Sequence, residues 1–299
     1  MVQSTPCLTQ KIIGGIKIAK TTKIEGDLLE KVIVEYRDNN MSLREIGRVY
    51  NVCRMSLSKK LEEIGVKTTK GNHYRKYFHD FDYFEIIDNH EKAYFLGLLM
   101  ADGYITDSSK IYGQDCFGIS LNYEDGYIIE SLKKHIKATN PVHEYFEEDK
   151  GDGFGEYHYK RLLLRSQKTV DDLIDKGVIK QKTLTKSFPD STQVPDEFIY
   201  SYLRGYLDGN GSICLNKLSN GEYSPYLQFT TSENFAKGLK EKFHCVISKD
   251  KRANAWNVSF NKYNSEKMLR HMYKHSTKET RLDRKYQKYL KSIKKSETI

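Results

Sequence analysis

The sequence predicts an α+β protein: two pseudo-symmetric αββαββα repeats packed through a pair of matching helices, plus a small all-α domain. Two observations carry that expectation. The stretches Ala93-Tyr-Phe-Leu-Gly-Leu-Leu-Met-Ala-Asp-Gly103 and Ser201-Tyr-Leu-Arg-Gly-Tyr-Leu-Asp-Gly-Asn-Gly211 echo each other, with Gly97 and Gly205 lying 108 residues apart. Each is a helical apolar run ending in a small residue, a polar residue and a glycine. The order of helix- and strand-type patterns after each stretch is the same, which marks an internal repeat.

Taken in order, residues 1–24 read as a basic, polar tail with a break at Gly14-Gly15. From Asp27 to Tyr36 apolar residues recur at helical spacing, and Asp38-Asn-Asn40 stops them. Ser42, with Glu45 three residues on, forms a capping box that opens a second helix. Asn51-Val52 turns the chain into a third helix, from Arg54 to Ile64, closed by Gly65. Residues 25–66 therefore follow a helix-turn-helix plan, with Leu43, Ile46, Val49, Val52, Leu57, Leu61 and Ile64 as its core. Arg54, Ser56, Ser58, Lys59 and Lys60 are left to face DNA. Residues 67–82 read as a basic linker able to lie along phosphates.

The first repeat spans 83–187 and the second, with a basic C-terminal helix, spans 188–299. In the first, strands are expected at Tyr104–Thr106, Cys116–Leu121, Val142–Phe146 and Tyr157–Arg165, with helices after the second and fourth. In the second, strands are expected at Ile213–Leu215, Tyr226–Thr231, Val246–Lys249 and Ala255–Phe260, with a Ser232 N-cap on the helix after Thr231. One face of each antiparallel sheet should take helices, leaving the other to read base edges. The candidates there are Lys110, Gln114, Ser120 and Asn122, and Asn216, Lys217, Gln228, Thr230 and Asn257.

Gly97/Ala101 and Gly205/Gly209 stand at i, i+4, so each pair forms a small-residue stripe on one helix face. Two such stripes let the helix backbones approach, which brings Asp102 and Asn210 side by side at one end. A carboxylate at such a seam suggests a metal site, and metals that act on phosphates take oxygen ligands.

The net charge of +9 and a pI near 9.0 favour a polyanionic partner. No apolar run reaches membrane-spanning length and no signal-peptide pattern is seen, so nucleic acid is the expected partner, not a membrane. The five cysteines are scattered with no C-x-x-C pair, which argues against a disulfide framework or zinc knuckle and fits a reducing, intracellular setting, cytoplasmic or nucleoid-associated. The histidines form no H-N-H pattern.

The paired stretches resemble the signature helices of the LAGLIDADG homing endonucleases, in the single-chain form with two copies, over roughly Tyr83 to Ile293. The resemblance implies a monomeric, site-specific endonuclease that hydrolyses double-stranded DNA with Mg2+ or Mn2+. It assigns the metal-binding acid to Asp102 and puts Asn210 at the equivalent place, with Gly103 and Gly211 in the same metal sites. It also implies a basic residue near each site, for which Lys182 and Lys285 match by placement. Asn210 offers a neutral carbonyl oxygen and should hold metal more weakly. Three outcomes are open: an enzyme that tolerates Asn, a strand-nicking enzyme, or a DNA-binding regulator that no longer cuts. An RNA-binding maturase acting on intron RNA is a further alternative, since the family includes such proteins.

Overall fold

The computed structural model describes residues 12–13, 16–17, 23–37, 41–66, 77–106, 115–149, 155–180, 185–251 and 253–293. The chain divides into two compact units, Met1–Lys76 and Tyr77–Ile299.

In the first unit, β1 (Ile12–Ile13) pairs with β2 (Ile16–Lys17). Three helices follow: α1 (Asp27–Arg37), α2 (Leu43–Val49) and α3 (Arg54–Glu63). The capping box forms, Ser42 Oγ accepting from Glu45 N and Glu45 Oε2 accepting from Ser42 N. Asn51 takes the left-handed conformation (φ 53°) in the turn between α2 and α3. Ile46, Val52, Leu57 and Leu61 are buried with Ile24, Val32, Tyr36 and Val66. Val49 (63% exposed) and Ile64 (41%) lie outside this core, contrary to the periodicity. The module is too small for both sides of its short helices to be covered, and α1 packs on the Ile46 side.

The second unit opens with residues 77–82, which the sequence assigns to the linker. They are hydrogen-bonded into the first repeat instead: Thr139 N donates to Phe78 O and Asp80 N to Ile136 O, and His79 is buried against Thr169. Helix α4 (His90–Asp102), capped by Asn89, runs straight into β3 (Gly103–Thr106). β4 (Cys116–Asn122), α5 (Tyr127–His135), β5 (His143–Glu147), β6 (Tyr157–Arg165) and α6 (Gln167–Asp175) complete the repeat. The second copy comprises α7 (Ile199–Asn210), β7 (Gly211–Lys217), β8 (Tyr223–Thr231), α8 (Glu233–Lys242), β9 (Val246–Lys249), β10 (Trp256–Ser259) and α9 (Lys262–Lys274). A terminal helix, α10 (Asp283–Ile293), ends the described chain. The two antiparallel sheets have matching orders, β3-β4-β6-β5 and β7-β8-β10-β9.

Helix α4 is buried all round from Ala93 to Met100, and α7 from Ser201 to Asp208. A helix apolar on every face must be enclosed on every face. Here α4 and α7 pack on each other while Phe117, Ile119, Leu162 and Leu164 of one sheet and Ile213, Leu227 and Phe229 of the other join them in one continuous core.

The seam is closer than ordinary helix packing. A Cβ on Gly97 would stand 1.9 Å from Tyr202 O, and one on Gly205 would stand 1.9 Å from Tyr94 O. Only glycine permits this approach.

Candidate active site and nucleic-acid interface

The seam delivers Asp102 and Asn210 to the end where both helices pass into strands. A Cβ on Gly209 would meet Asp102 Oδ2 at 2.7 Å and Ala101 Cβ at 2.3 Å, so the Asp102 carboxylate lies against the backbone just before Asn210. Both residues are half-buried, open to solvent on one side. Asn210 Nδ2 donates to Tyr206 Oη (3.4 Å), and Tyr206 Oη bonds Thr231 Oγ1 (2.6 Å). That leaves Asn210 Oδ1 as the outward acceptor.

Among the described residues no three His, Cys, Asp or Glu side chains converge as a metal cage. The oxygen donors at the seam are one carboxylate and one carboxamide. Magnesium is commonly held by one or two protein oxygens, with water and phosphate oxygens completing its shell. The donor set at the seam fits that pattern.

Lys285, at the start of α10, is buried. Its Nζ donates to Leu207 O (2.5 Å), Asp208 O (2.7 Å) and Gly211 O (2.8 Å). An ammonium has three protons, and all three go to carbonyls where α7 passes into β7: Leu207 O, which also accepts from Gly211 N, Asp208 O, and Gly211 O of the strand. Burial lowers its pKa to about 8, while the Asp208 carboxylate pulls the other way. Gly211 O is thereby occupied by the lysine. Lys182 lies outside the described residues, as do Lys110 and Gln114.

Asp208 faces away from the open end of the seam. Its Oδ2 accepts from Tyr94 Oη (2.9 Å) across the seam and from Leu282 N (2.9 Å). Burial raises its pKa to about 6, against the stabilising charge of Lys285. Arg204, fully buried, lies over the Tyr94 ring and donates to Thr280 O (2.8 Å) and Met272 O. Neither role was read from the sequence. An arginine inside an otherwise apolar helix was the available signal, because a buried cation requires a designed set of acceptors. His271 and His275 stand one helical turn apart, a metal-ligand spacing, but stack on different rings, Tyr200 and His90.

Strand alternation and register sort the candidate interface residues. In the second sheet Ile213, Leu227, Phe229 and Val258 face the helices. Asn216, Gln228, Thr230 and Asn257 share the opposite, outer face, and Thr230 Oγ1 donates to Asn257 Oδ1 (3.2 Å). Lys217 is a correction: it pairs with Tyr223 on the helix side, where Lys291 covers the Tyr223 ring. In the first sheet Ser120 and Asn122 lie on the outer face, opposite Ile119 and Leu121. Asn122 Oδ1 also caps the following turn through Glu124 N (3.1 Å). On α3, Arg54 and Lys59 are exposed; Ser56, Ser58 and Lys60 are half-exposed, with Ser58 donating to Glu62 and Lys60 paired with Glu63.

Comparison with solved structures decides the fold. The homing endonuclease I-WcaI bound to its DNA recognition sequence superposes with a TM-score of 0.50, covering 76% of this chain and 97% of that one at 15% identity. The chain has the LAGLIDADG homing endonuclease fold. The LAGLIDADG meganuclease I-AabMI bound to uncleaved DNA is also similar, with 17% identity, coverage of 62% and 83%, and a TM-score of 0.40. So is I-SmaMI bound to an uncleaved DNA target in the presence of calcium ions, with 14% identity, coverage of 68% and 88%, and a TM-score of 0.43. No family model matches the sequence, and no curated protein matches it. In LAGLIDADG terms α4 and α7 are the two signature helices, and no helix among the described residues is long and apolar enough to cross a membrane.

Proposed function

We propose that this protein is a site-specific DNA endonuclease of the homing type, cutting duplex DNA as a monomer with Mg2+ or Mn2+. The observation that carries the reading is the seam itself, which sets the Asp102 carboxylate against Gly209 and beside Asn210 at the open end of α4 and α7. Asp102 and Asn210 are the residues that would hold the metal, at the helix ends where Gly103 and Gly211 open β3 and β7. When bound, the metal stabilises the extra negative charge of phosphodiester hydrolysis and favours the attacking water. Asp102 supplies the charged ligand and Asn210 a neutral one, its amide turned by Tyr206. Lys285 fixes the end of α7 and contributes positive charge beside the site. The outer sheet faces, with Asn122, Asn216, Gln228, Thr230 and Asn257, take the duplex, and the α1–α3 module extends the contacted sequence through Arg54 and Lys59.

A strand-nicking enzyme is the second reading. It is favoured by Asn210, which lacks the charge of Asp102, and by Lys285, whose three protons are spent on carbonyls.

The test is cleavage of supercoiled plasmid carrying the uninterrupted insertion locus of the gene, with Mg2+. Linear product that disappears in Asp102→Asn establishes a double-strand cutter. Nicked circles that become linear product with Asn210→Asp establish a nickase. Tight binding without any cutting refutes the enzyme and leaves a DNA-binding regulator.

A further inference from the structure

We propose that the outer face of the first sheet carries a stacking platform for unpaired nucleotides, built on Tyr145, Tyr157, Tyr159 and Arg161. It rests on the reading of these sheet faces as a nucleic-acid surface, and it adds a place for unpaired nucleotides at the β5 edge of the first sheet, beyond the duplex that Asn122 is proposed to contact.

The register of β5 on β6 pairs His143 with Arg161, Tyr145 with Tyr159, and Glu147 with Tyr157. All six side chains therefore leave the same side of the sheet, the side opposite Leu162 and Leu164 of the core. The tyrosines form a column. Tyr145 and Tyr159 stack at 5.1 Å and 17°, and Tyr157 and Tyr159 at 5.1 Å and 28°. Tyr159 is the middle member, 6% exposed, while Tyr145 and Tyr157 at the ends are 37% and 47% exposed.

The column is held from one side. The Arg161 guanidinium lies over Tyr145 (4.9 Å) and Tyr159 (5.4 Å), with Nε donating to Ser120 Oγ and Nη2 to Tyr159 Oη. Tyr159 Oη donates to Glu147 Oε1 (3.0 Å). Among the described residues Arg161 Nη1 makes no hydrogen bond, and the only ring against Tyr157 is Tyr159. A ring face and a guanidinium edge are thus left open on one rigid support. β5 is the edge strand of its sheet, so a strand of nucleic acid can approach the column from the side.

Cross-strand packing alone accounts for a pair of tyrosines. It does not account for a third ring at the end of the column that is 47% exposed. A base with both faces stacked inside a duplex has nothing to offer that ring. An unpaired base does, and stacking of single-stranded bases on aromatic side chains is tolerant of sequence. The free guanidinium edge suits a phosphate oxygen of the same strand. The matching face of the second sheet is built differently: it carries a single tyrosine, Tyr226, without a stacked neighbour among the described residues, and Ser212, Asn216, Gln228, Thr230 and Asn257 are neutral donors and acceptors, the chemistry that reads base edges of intact duplex. RNA and single-stranded DNA share the unpaired-base chemistry, and the experiment separates them.

The full chain is titrated into fluorescein-labelled twelve-nucleotide oligomers, oligo-U and oligo-dT, and into a hairpin duplex, following anisotropy at fixed salt. Tyr157→Ala is expected to weaken single-strand binding about tenfold, leaving the duplex within twofold, while Tyr157→Trp retains binding. Asn257→Ala on the other sheet is expected to show the reverse pattern. Stronger binding of oligo-U than oligo-dT identifies RNA as the source, and the opposite order identifies single-stranded DNA. Equal losses on duplex and single strand, no loss in Tyr157→Ala, or no single-strand binding by the wild type overturns the proposal. Far-ultraviolet circular dichroism confirms folding, and Tyr145→Ala supplies an independent variant at the other end of the column. Plasmid cleavage is scored separately: cutting without single-strand binding removes the platform alone, and single-strand binding without cutting removes the nuclease reading alone.

Discussion

Gly205→Ala is the sharpest perturbation of the seam. The added methyl would sit 1.9 Å from Tyr94 O and 2.7 Å from Leu98 N, both backbone atoms of α4. No side-chain rotation relieves a clash with backbone, so α4 and α7 must separate. Reaching ordinary contact requires about 1.5 Å, and a gap of that size forfeits half or more of the dispersion attraction across the facing surfaces. Overpacking of a tight core costs ~1–3 kcal/mol before such losses are counted, so a destabilisation of about 3 kcal/mol or more is expected. Gly209→Ala is the informative comparison. Its methyl meets Ala101 Cβ and the Asp102 carboxylate, side-chain atoms, one of which can swing aside. It should cost less stability, about 1–2 kcal/mol, yet lose most DNA cutting because Asp102 is the group displaced. Urea unfolding followed by Trp256, the single tryptophan and a half-buried residue of the second sheet, measures the first quantity. Plasmid cleavage measures the second. Gly205→Ala within about 0.5 kcal/mol of wild type would refute the close approach on which the site depends.

Three further outcomes are expected. Lys285→Met removes the cation that three carbonyls at the α7–β7 junction share; it should destabilise the protein by roughly 2–4 kcal/mol in the same urea assay and abolish cutting, and unchanged stability would rule out the capping role. Asp208 has a folded pKa of about 6 against an ordinary 3.8, so the folded state binds its proton more readily and stability should fall as pH rises from 4 to 6. Relative to Asp208→Asn, that fall should be on the order of 2–3 kcal/mol, measured by urea titrations across this range, and parallel curves would contradict it. Tyr206→Phe removes the acceptor of the Asn210 amide, so the Mn2+ concentration for half-maximal cutting should rise several-fold. In an Asn210→Asp background the two carboxylate oxygens are equivalent and the same change should have much less effect; equal shifts would show that Tyr206 does not orient Asn210.

Local rules made much of this architecture legible. The i, i+4 stripes Gly97/Ala101 and Gly205/Gly209 predicted the helix seam, because small residues have no other advantage at those positions. The Ser42–Glu45 capping box and the Ser232 N-cap form as expected. What sequence could not reveal depends on partners far away in the chain. Arg204 reads as a surface residue on any hydropathy scale, yet it is buried because Met272 O and Thr280 O, some seventy residues on, await its protons. Lys285 is recognisable as a basic residue near the site, but its choice of carbonyls follows from the docking of α10. Lys217 reads as an outer-face residue while the strand is taken to end at Leu215; β7 runs on to Lys217, and alternation from Gly211 turns that position toward the helices. Alternation is reliable only once the register is known.

The terminal helix explains how two unequal repeats hold one site. Segment 281–284 grips the first repeat: Tyr127 Oη donates to Arg281 O (3.1 Å) and accepts from Asp283 N (2.6 Å), and Arg284 makes a forked pair with Asp125. The next residue, Lys285, caps the second signature helix. Leu282 N, between them, holds Asp208, which in turn receives Tyr94 from the first signature helix. Five consecutive positions, Arg281 to Lys285, thus tie both repeats to the end of the seam where Asp102 and Asn210 meet. In a symmetric pair of separate subunits a substitution at the acid would remove both charges at once. In one chain the first repeat keeps Asp102 while the second carries Asn210, and the α10 anchor keeps the neutral half in the geometry that the charged half requires.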